Sequence, residues 1–312
     1  MAPPVVIEQL PNLTGVDYAK FFASGSACCI LSHGAMVPID VVKTRIQLEP
    51  KLKKLGMVGT GRSIIAEEGL RGLATGFGST AVGYALQGGA KFAGYEFAKK
   101  KLVEASGSYE AAVEHRTAIY LGGAAIAEFF ADILLTPAEA VRIRLVSDRH
   151  YATNLATGFK RMATEGGLSE LYAGFIPILA KQIPYAVGQF LVNELAHEAV
   201  YRQMSETRRA YLTATEQTGI TLGCGITAGV AAAVLSQPAD TLLSQINKGQ
   251  GGKGSAAVKL VRLAKEAGPV GLFAGLGPRI LMTAGLVSSQ FLLYGAIKDA
   301  LGAGKGVEIH KD

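Results

Sequence analysis

A proline followed two residues later by a carboxylate closes an apolar stretch at three places in this chain. Pro38-Ile39-Asp40, Pro137-Ala138-Glu139 and Pro238-Ala239-Asp240 lie 99 and 101 residues apart. A period near one hundred in 312 residues means three copies of one unit, and that must be settled before any local motif is read. A second landmark keeps step: Gly76, Gly174 and Gly275 follow the pairs Glu68-Gly69, Glu165-Gly166 and Ala267-Gly268. Two independent landmarks with one period define a tandem triplicate, with units at 14–105, 116–207 and 216–303.

Each unit holds two long apolar stretches, at 17–46, 77–101, 117–146, 175–202, 217–246 and 277–301. A membrane-spanning helix needs about 20 mostly apolar residues. Hydrophobic residues make up 49% of the chain and charged residues only 18%, against about 25% charged in soluble domains. Charge is depleted where a soluble surface would need it, which argues against a large soluble enzyme. The expected fold is an all-α membrane protein with six transmembrane helices in three helix-loop-helix repeats. The odd stretches are rich in small residues: Ala23, Gly25 and Ala27; Gly122, Gly123 and Ala124; Gly223, Gly225 and Gly229. Such clusters let membrane helices pack closely. The loops at 47–76, 147–174 and 247–275 are about twice as long as the joins at 102–116 and 203–216. Six spans place both termini and both joins on one side, and the long loops on the other. Lys and Arg do not separate the two sides, so charge bias leaves the orientation open.

Other function classes find little support. The net charge of +6 is scattered, with no basic run interleaved with aromatics, so no nucleic-acid face is expected. Weak attraction to anionic lipid or anionic solutes fits better. Cys28, Cys29 and Cys224 show no metal-ligand spacing. Adjacent residues on a helix point about 100° apart, so Cys28 and Cys29 cannot face one ligand and read as packing residues. His115, His150, His197 and His310 lie in joins, helix ends or tails without ligand spacing; no metal, cofactor or enzymatic site is expected. Gly249 to Ser255 superficially resembles a phosphate-cradling loop, but the residue order is wrong and no strand precedes it. Met1 to Lys20 shows no secretory signal, and with Glu8, Asp17 and no Arg it does not read as a cleavable mitochondrial presequence.

The charges inside the apolar stretches carry the functional argument. A mid-membrane ionisable residue costs about 2.5–3.5 kcal/mol on insertion scales. The third stretch carries Glu128, Asp132, Glu139, Arg142 and Arg144; the first carries His33, Asp40, Lys43 and Arg45. Without partners either set would make insertion unfavourable by roughly 10 kcal/mol. These groups must face an aqueous cavity or one another. Steps of four and seven put Glu128, Asp132 and Glu139 on one helix face, and His33 shares a face with Asp40. Packing pairs explain the charges near each proline, but not His33, Glu128 and Asp132.

Pro38-Ile39-Asp40-Val41-Val42-Lys43 and Pro137-Ala138-Glu139-Ala140-Val141-Arg142 match Pro-x-acidic-x-x-basic, and Tyr95-Glu96-Phe97-Ala98-Lys99 adds a motif on an even stretch. With these the whole chain resembles the mitochondrial carriers. That resemblance implies six helices with pseudo-threefold symmetry around one central site, opened alternately to the two sides of the mitochondrial inner membrane. Val37 to Glu49, Gly76 to Gly78, Gln87 to Glu96, Lys181 to Tyr185 and Ser236 to Asp240 are most similar to phosphate-transporting members of the family, in their fungal form. The implied activity is import of inorganic phosphate with a proton, or against hydroxide, with membrane lipid such as cardiolipin as a further partner. Another small anion, such as a carboxylate, is the alternative.

The resemblance assigns roles by position. The matrix gate pairs Asp40 with Arg142 and Asp240 with Lys43. Leu243 stands where a base is expected, leaving Glu139 without its cyclic partner. The cytosolic gate pairs Glu194 with Lys298 and sets Glu96 against His197, while Gly295 leaves Lys99 unpaired. The central contact positions fall on Gly83-Tyr84, Gln87, Lys181-Gln182 and Thr283. Independently, Tyr84, Gln87 and Lys91 step by three and four along one helix face. Lysines with amide and hydroxyl donors suit a compact anion better than a nucleotide. Arg279 reads equally as a gate or binding residue and as an anchor at the matrix end. His33, Glu128, Asp132 and Glu139 are the candidate titrating groups for a coupled proton. Imidazole titrates near ~6.5, although a lone histidine on a small-residue helix is as readily structural.

Overall fold

The computed structural model describes residues 11–48, 50–148, 151–247, 256–273, 275–304, 306, 307 and 309. Six long helices dominate: α1 (Gly15–Leu48), α2 (Phe77–Ala105), α3 (Arg116–Ser147), α4 (Phe175–Arg202), α5 (Ala214–Asn247) and α6 (Leu276–Ala300). Each long loop carries a short helix, at Gly56–Glu68, Leu155–Glu165 and Ala256–Leu272. The phosphate-loop look-alike at 249–255 lies outside the described residues.

Each long helix packs against the next, and α6 closes back on α1, so the six form a ring. Small residues set the spacing. A side chain on Gly25 of α1 would run into the backbone of Gly88 on α2, and one on Gly229 of α5 would meet the Ala284 Cα of α6 at 2.5 Å. Only glycine permits these backbone approaches.

Five of the six long helices are long and apolar enough to cross a membrane; α2 is the exception. Its sequence from Phe77 is broken by small polar residues, Gln87 and Lys91. Gln87, Lys91 and Lys99 are nonetheless buried, so α2 turns its polar side inward. A helix that is weakly apolar by composition is thus held in the ring by its neighbours.

The three prolines of the repeat lie inside α1, α3 and α5, which continue through them. Proline cannot donate to the carbonyl four residues back. At Pro137 that carbonyl belongs to Ile133, and the Tyr172 hydroxyl donates to it at 3.0 Å. Gly76 and Gly275, before α2 and α6, sit at φ 80°, which favours glycine. The third landmark, Gly174, has φ −87° and needs no such freedom.

Candidate functional site

The interior of the ring is polar, and its charges come from every long helix. On α3, Glu128 and Asp132 are fully buried. Glu128 accepts a hydrogen bond from Gln87 Nε2 at 2.6 Å and pairs with Lys91 at 3.3 Å, both on α2. Lys91 therefore faces inward as expected, but its charge is already balanced by Glu128. Both carboxylate oxygens of Asp132 are buried and, among the described residues, have no hydrogen-bond partner. A buried polar atom left in that state is uncommon.

His33 on α1 stacks on Tyr84 of α2, ring centroids 3.7 Å apart. Its Nε2 lies 3.0 Å from Gln290 Nε2 on α6. Lys181 on α4 is half-buried and, among the described residues, has no ion-pair partner. Its charge acts on His33, Asp132 and Asp240, residues of α1, α3 and α5. One cation reaching three odd helices marks a shared interior. Gln182 and Thr283 are also buried.

The long-loop end of the ring is closed by ion pairs, with two departures from the sequence reading. Arg142 bonds Asp40 across α3 and α1 at 2.9 Å, as expected. Arg142 also pairs with Glu139 at 3.0 Å, so Glu139 lacks its cyclic partner but is not uncompensated. Asp240 pairs with Arg279 rather than with Lys43. Arg279 also donates to Ser236 at 2.7 Å, tying α6 to α5, while Lys43 is exposed. A partner lying within the same repeat displaced the one expected from cyclic symmetry.

The short-join end departs further. Lys99 is the hub, 3.0 Å from both Glu96 and Glu194, so it is paired and Glu194 does not take Lys298. Lys298 lies instead over the Tyr294 ring at 6.0 Å. His197 contacts the Asn193 carbonyl at 2.9 Å rather than Glu96. The C-terminal segment accounts for the change. Val307 donates its N–H to Glu96 at 2.6 Å and accepts from Lys99 at 2.8 Å. Backbone groups of the C-terminal segment thereby complete the pairing of Glu96 and Lys99.

A cavity of about 590 Å³ opens at this end, lined by Glu96, Lys99, Glu194, His197 and Lys298 among others. Three of its walls are Phe92, Phe190 and Phe291, which meet edge to face at 5.4, 6.3 and 6.2 Å. They lie sixteen residues after Gly76, Gly174 and Gly275, one from each repeat. The sequence reading missed these phenylalanines, Gln189, Gln290 and the C-terminal contacts. Equal offsets from the three glycines were the available signal for all but the last.

A closed ring of six helices, apolar outside and charged inside, with ion pairs at both ends of a polar interior, is the architecture of a membrane solute carrier. The family pattern described as mitochondrial carrier protein matches residues 15–106, 114–204 and 215–305. The chain belongs to the mitochondrial carrier family. It is 41% identical over 293 residues to "Mitochondrial substrate carrier family protein N" of Dictyostelium discoideum, covering 93% of this chain and 97% of the relative. It is 36% identical to the "Probable mitochondrial phosphate carrier protein" of Schizosaccharomyces pombe, covering 95% and 94%. It is 37% identical to "Phosphate carrier protein, mitochondrial" of Caenorhabditis elegans, covering 92% and 82%.

Proposed function

We propose that this carrier moves inorganic phosphate together with a proton into the mitochondrial matrix, across the inner membrane. The relatives named as phosphate carriers support the substrate. The observation that carries the reading is Lys181, a half-buried cation in the polar interior with no carboxylate paired to it among the described residues. A compact anion supplies the missing negative charge, and Gln182, Thr283 and Tyr84 are the proposed amide and hydroxyl donors to it. Lys91, balanced by Glu128, and Arg279, balanced by Asp240, are secondary contacts for the anion.

His33, Glu128, Asp132 and Glu139 are the groups proposed to handle the proton. Asp132 is the leading candidate, because both of its carboxylate oxygens are buried and, among the described residues, have no hydrogen-bond partner. Asp40 with Arg142, and Asp240 with Arg279, form the matrix-side gate. Glu96, Lys99 and Glu194 form the cytosolic one. Opening either gate breaks ion pairs that the substrate's own binding must offset.

The test is radiolabelled phosphate uptake into liposomes containing the purified carrier. Uptake should saturate, accelerate with an inward proton gradient and show counter-exchange with internal phosphate. Displacement of phosphate by an equal concentration of a dicarboxylate would transfer the assignment to a carboxylate carrier. Unsaturable flux would mean a leak.

A further inference from the structure

Lys91, Gln189 and Gln290 each lie fifteen residues after the glycine that opens their repeat's second helix. They are equivalent positions of the three repeats, and all three are buried. Lys91 is absorbed by Glu128. The two glutamines instead bond each other: Gln189 Nε2 donates to Gln290 Oε1 at 3.0 Å. Gln290 Nε2 then donates to His33 Nε2 at 3.0 Å. The chain His33–Gln290–Gln189 thus joins the first, third and second repeats through three side chains.

We propose that Gln290, backed by Gln189, is a positioning residue for His33, holding the ring while its Nε2 is bare and turning over when that nitrogen takes a proton. This rests on the reading of His33 as a proton-handling group. A bare Nε2 accepts an N–H, which puts the ring's proton on Nδ1. Once Nε2 is protonated it becomes a donor, and Gln290 must present its oxygen instead. The Gln290 nitrogen then faces Gln189, which must also turn. Gln189 Oε1 is buried and, among the described residues, has no hydrogen-bond partner, so it can swing toward Gln290 without giving up a bond. No proton travels along the amides; only their orientation reverses.

The surroundings fix the resting arrangement of the ring. The ring plane is held by Tyr84, the titratable group stacked on it. The charged groups acting on His33 are cations, Lys91 on α2, Arg142 on α3 and Lys181 on α4, while α6 contributes the uncharged Gln290. Gln290 Nε2 also lies 3.3 Å from Ser32 Oγ and 3.8 Å from Cys29 Sγ, both on α1. Gln189 and Gln290 immediately precede Phe190 and Phe291 of the aromatic triad. A proton on His33 is therefore registered one residue away from the contact that lines the cavity at the short-join end.

The experiment measures the pH profile of gradient-driven phosphate uptake in liposomes, with phosphate exchange in the same vesicles counting the folded carriers. Gln290→Glu can only accept from His33 and adds a negative charge beside it, so its profile should move toward alkaline pH by about one pH unit or more. Gln290→Leu offers the protonated ring no acceptor, so its profile should move the other way. Gln189→Leu should follow Gln290→Leu with a smaller displacement. A polar clamp between helices would lower uptake at every pH and leave all midpoints in place, and that result overturns the relay. Because the leucine variant at Gln290 could fail to insert, an unmoved midpoint in Gln290→Glu or Gln189→Leu is by itself sufficient to reject it. His33→Ala separates the two levels. If it keeps the wild-type pH profile, the role of His33 fails; if it loses the profile while Gln290→Glu stays unmoved, only the relay fails.

Discussion

Single residues in this carrier are read by what balances them. Lys91, Arg142 and Arg279 each face a carboxylate, while Lys181 has none among the described residues. Lys181→Ala should therefore cut phosphate uptake by at least about tenfold, since a charge-assisted hydrogen bond is worth roughly 1.5–3 kcal/mol; Lys181→Arg should restore part of it. Initial uptake rates in liposomes check both. Asp132 presents the opposite case, two buried oxygens without partners. An unsatisfied buried polar group costs about 1–3 kcal/mol, so Asp132→Leu should raise the thermal unfolding midpoint while lowering gradient-driven uptake. A variant that loses stability instead would show that Asp132 has a structural partner.

Helix α3 continues through its proline with help from a neighbouring side chain. In α3 the carbonyl freed by Pro137 is taken by Tyr172, which lies in the segment just before α4. The equivalent positions of the other repeats hold Ala74 and Phe273, neither of which can donate from its side chain. Among the described residues, this tyrosine device belongs to the second repeat. Tyr172→Phe removes only a hydroxyl and should cost about 1 kcal/mol of stability, measurable as a lower midpoint in detergent. Helix α2 makes the same point about context. Its composition falls short of a spanning helix, and burial of Gln87, Lys91 and Lys99 against α3, α4 and the C-terminal segment holds it in place.

For the whole molecule, the C-terminal segment is part of the ring and not an appendage. Val307 and Ile309 are 0% and 2% exposed and belong to a core cluster with Phe21, Val103, Ile119 and Tyr120. Lys20 of α1 donates to the Gly302 carbonyl at 2.7 Å, and Ile309 donates its N–H to the Tyr120 hydroxyl at 3.3 Å. Burying a side chain of this size contributes about 1.5–3 kcal/mol. Deleting residues 303–312 should lower the thermal midpoint by several degrees and leave Lys99 exposed to amine-directed reagents. A truncated carrier with an unchanged midpoint and a protected Lys99 would refute this role. The threefold pattern holds most firmly where side chains meet near the axis, as at Phe92, Phe190 and Phe291. It gives way at both ends, where ion pairs form with whichever partner is nearer.

The amino-acid order alone determined the triplication, the six long helices and the inward placement of Glu128, Asp132 and Lys91. These follow from period, helical spacing and the cost of charge in an apolar setting, all of which are local or additive properties of the chain. Tertiary structure alone decided that Asp240 takes Arg279, that Lys99 gathers Glu96, Glu194 and Val307, and that Gln290 bridges Gln189 to His33. Ion pairs and hydrogen bonds act over a few ångströms, and several residues of the right type compete for each partner. Which of them wins depends on how the helices are set against one another, a distance that no repeat or spacing encodes.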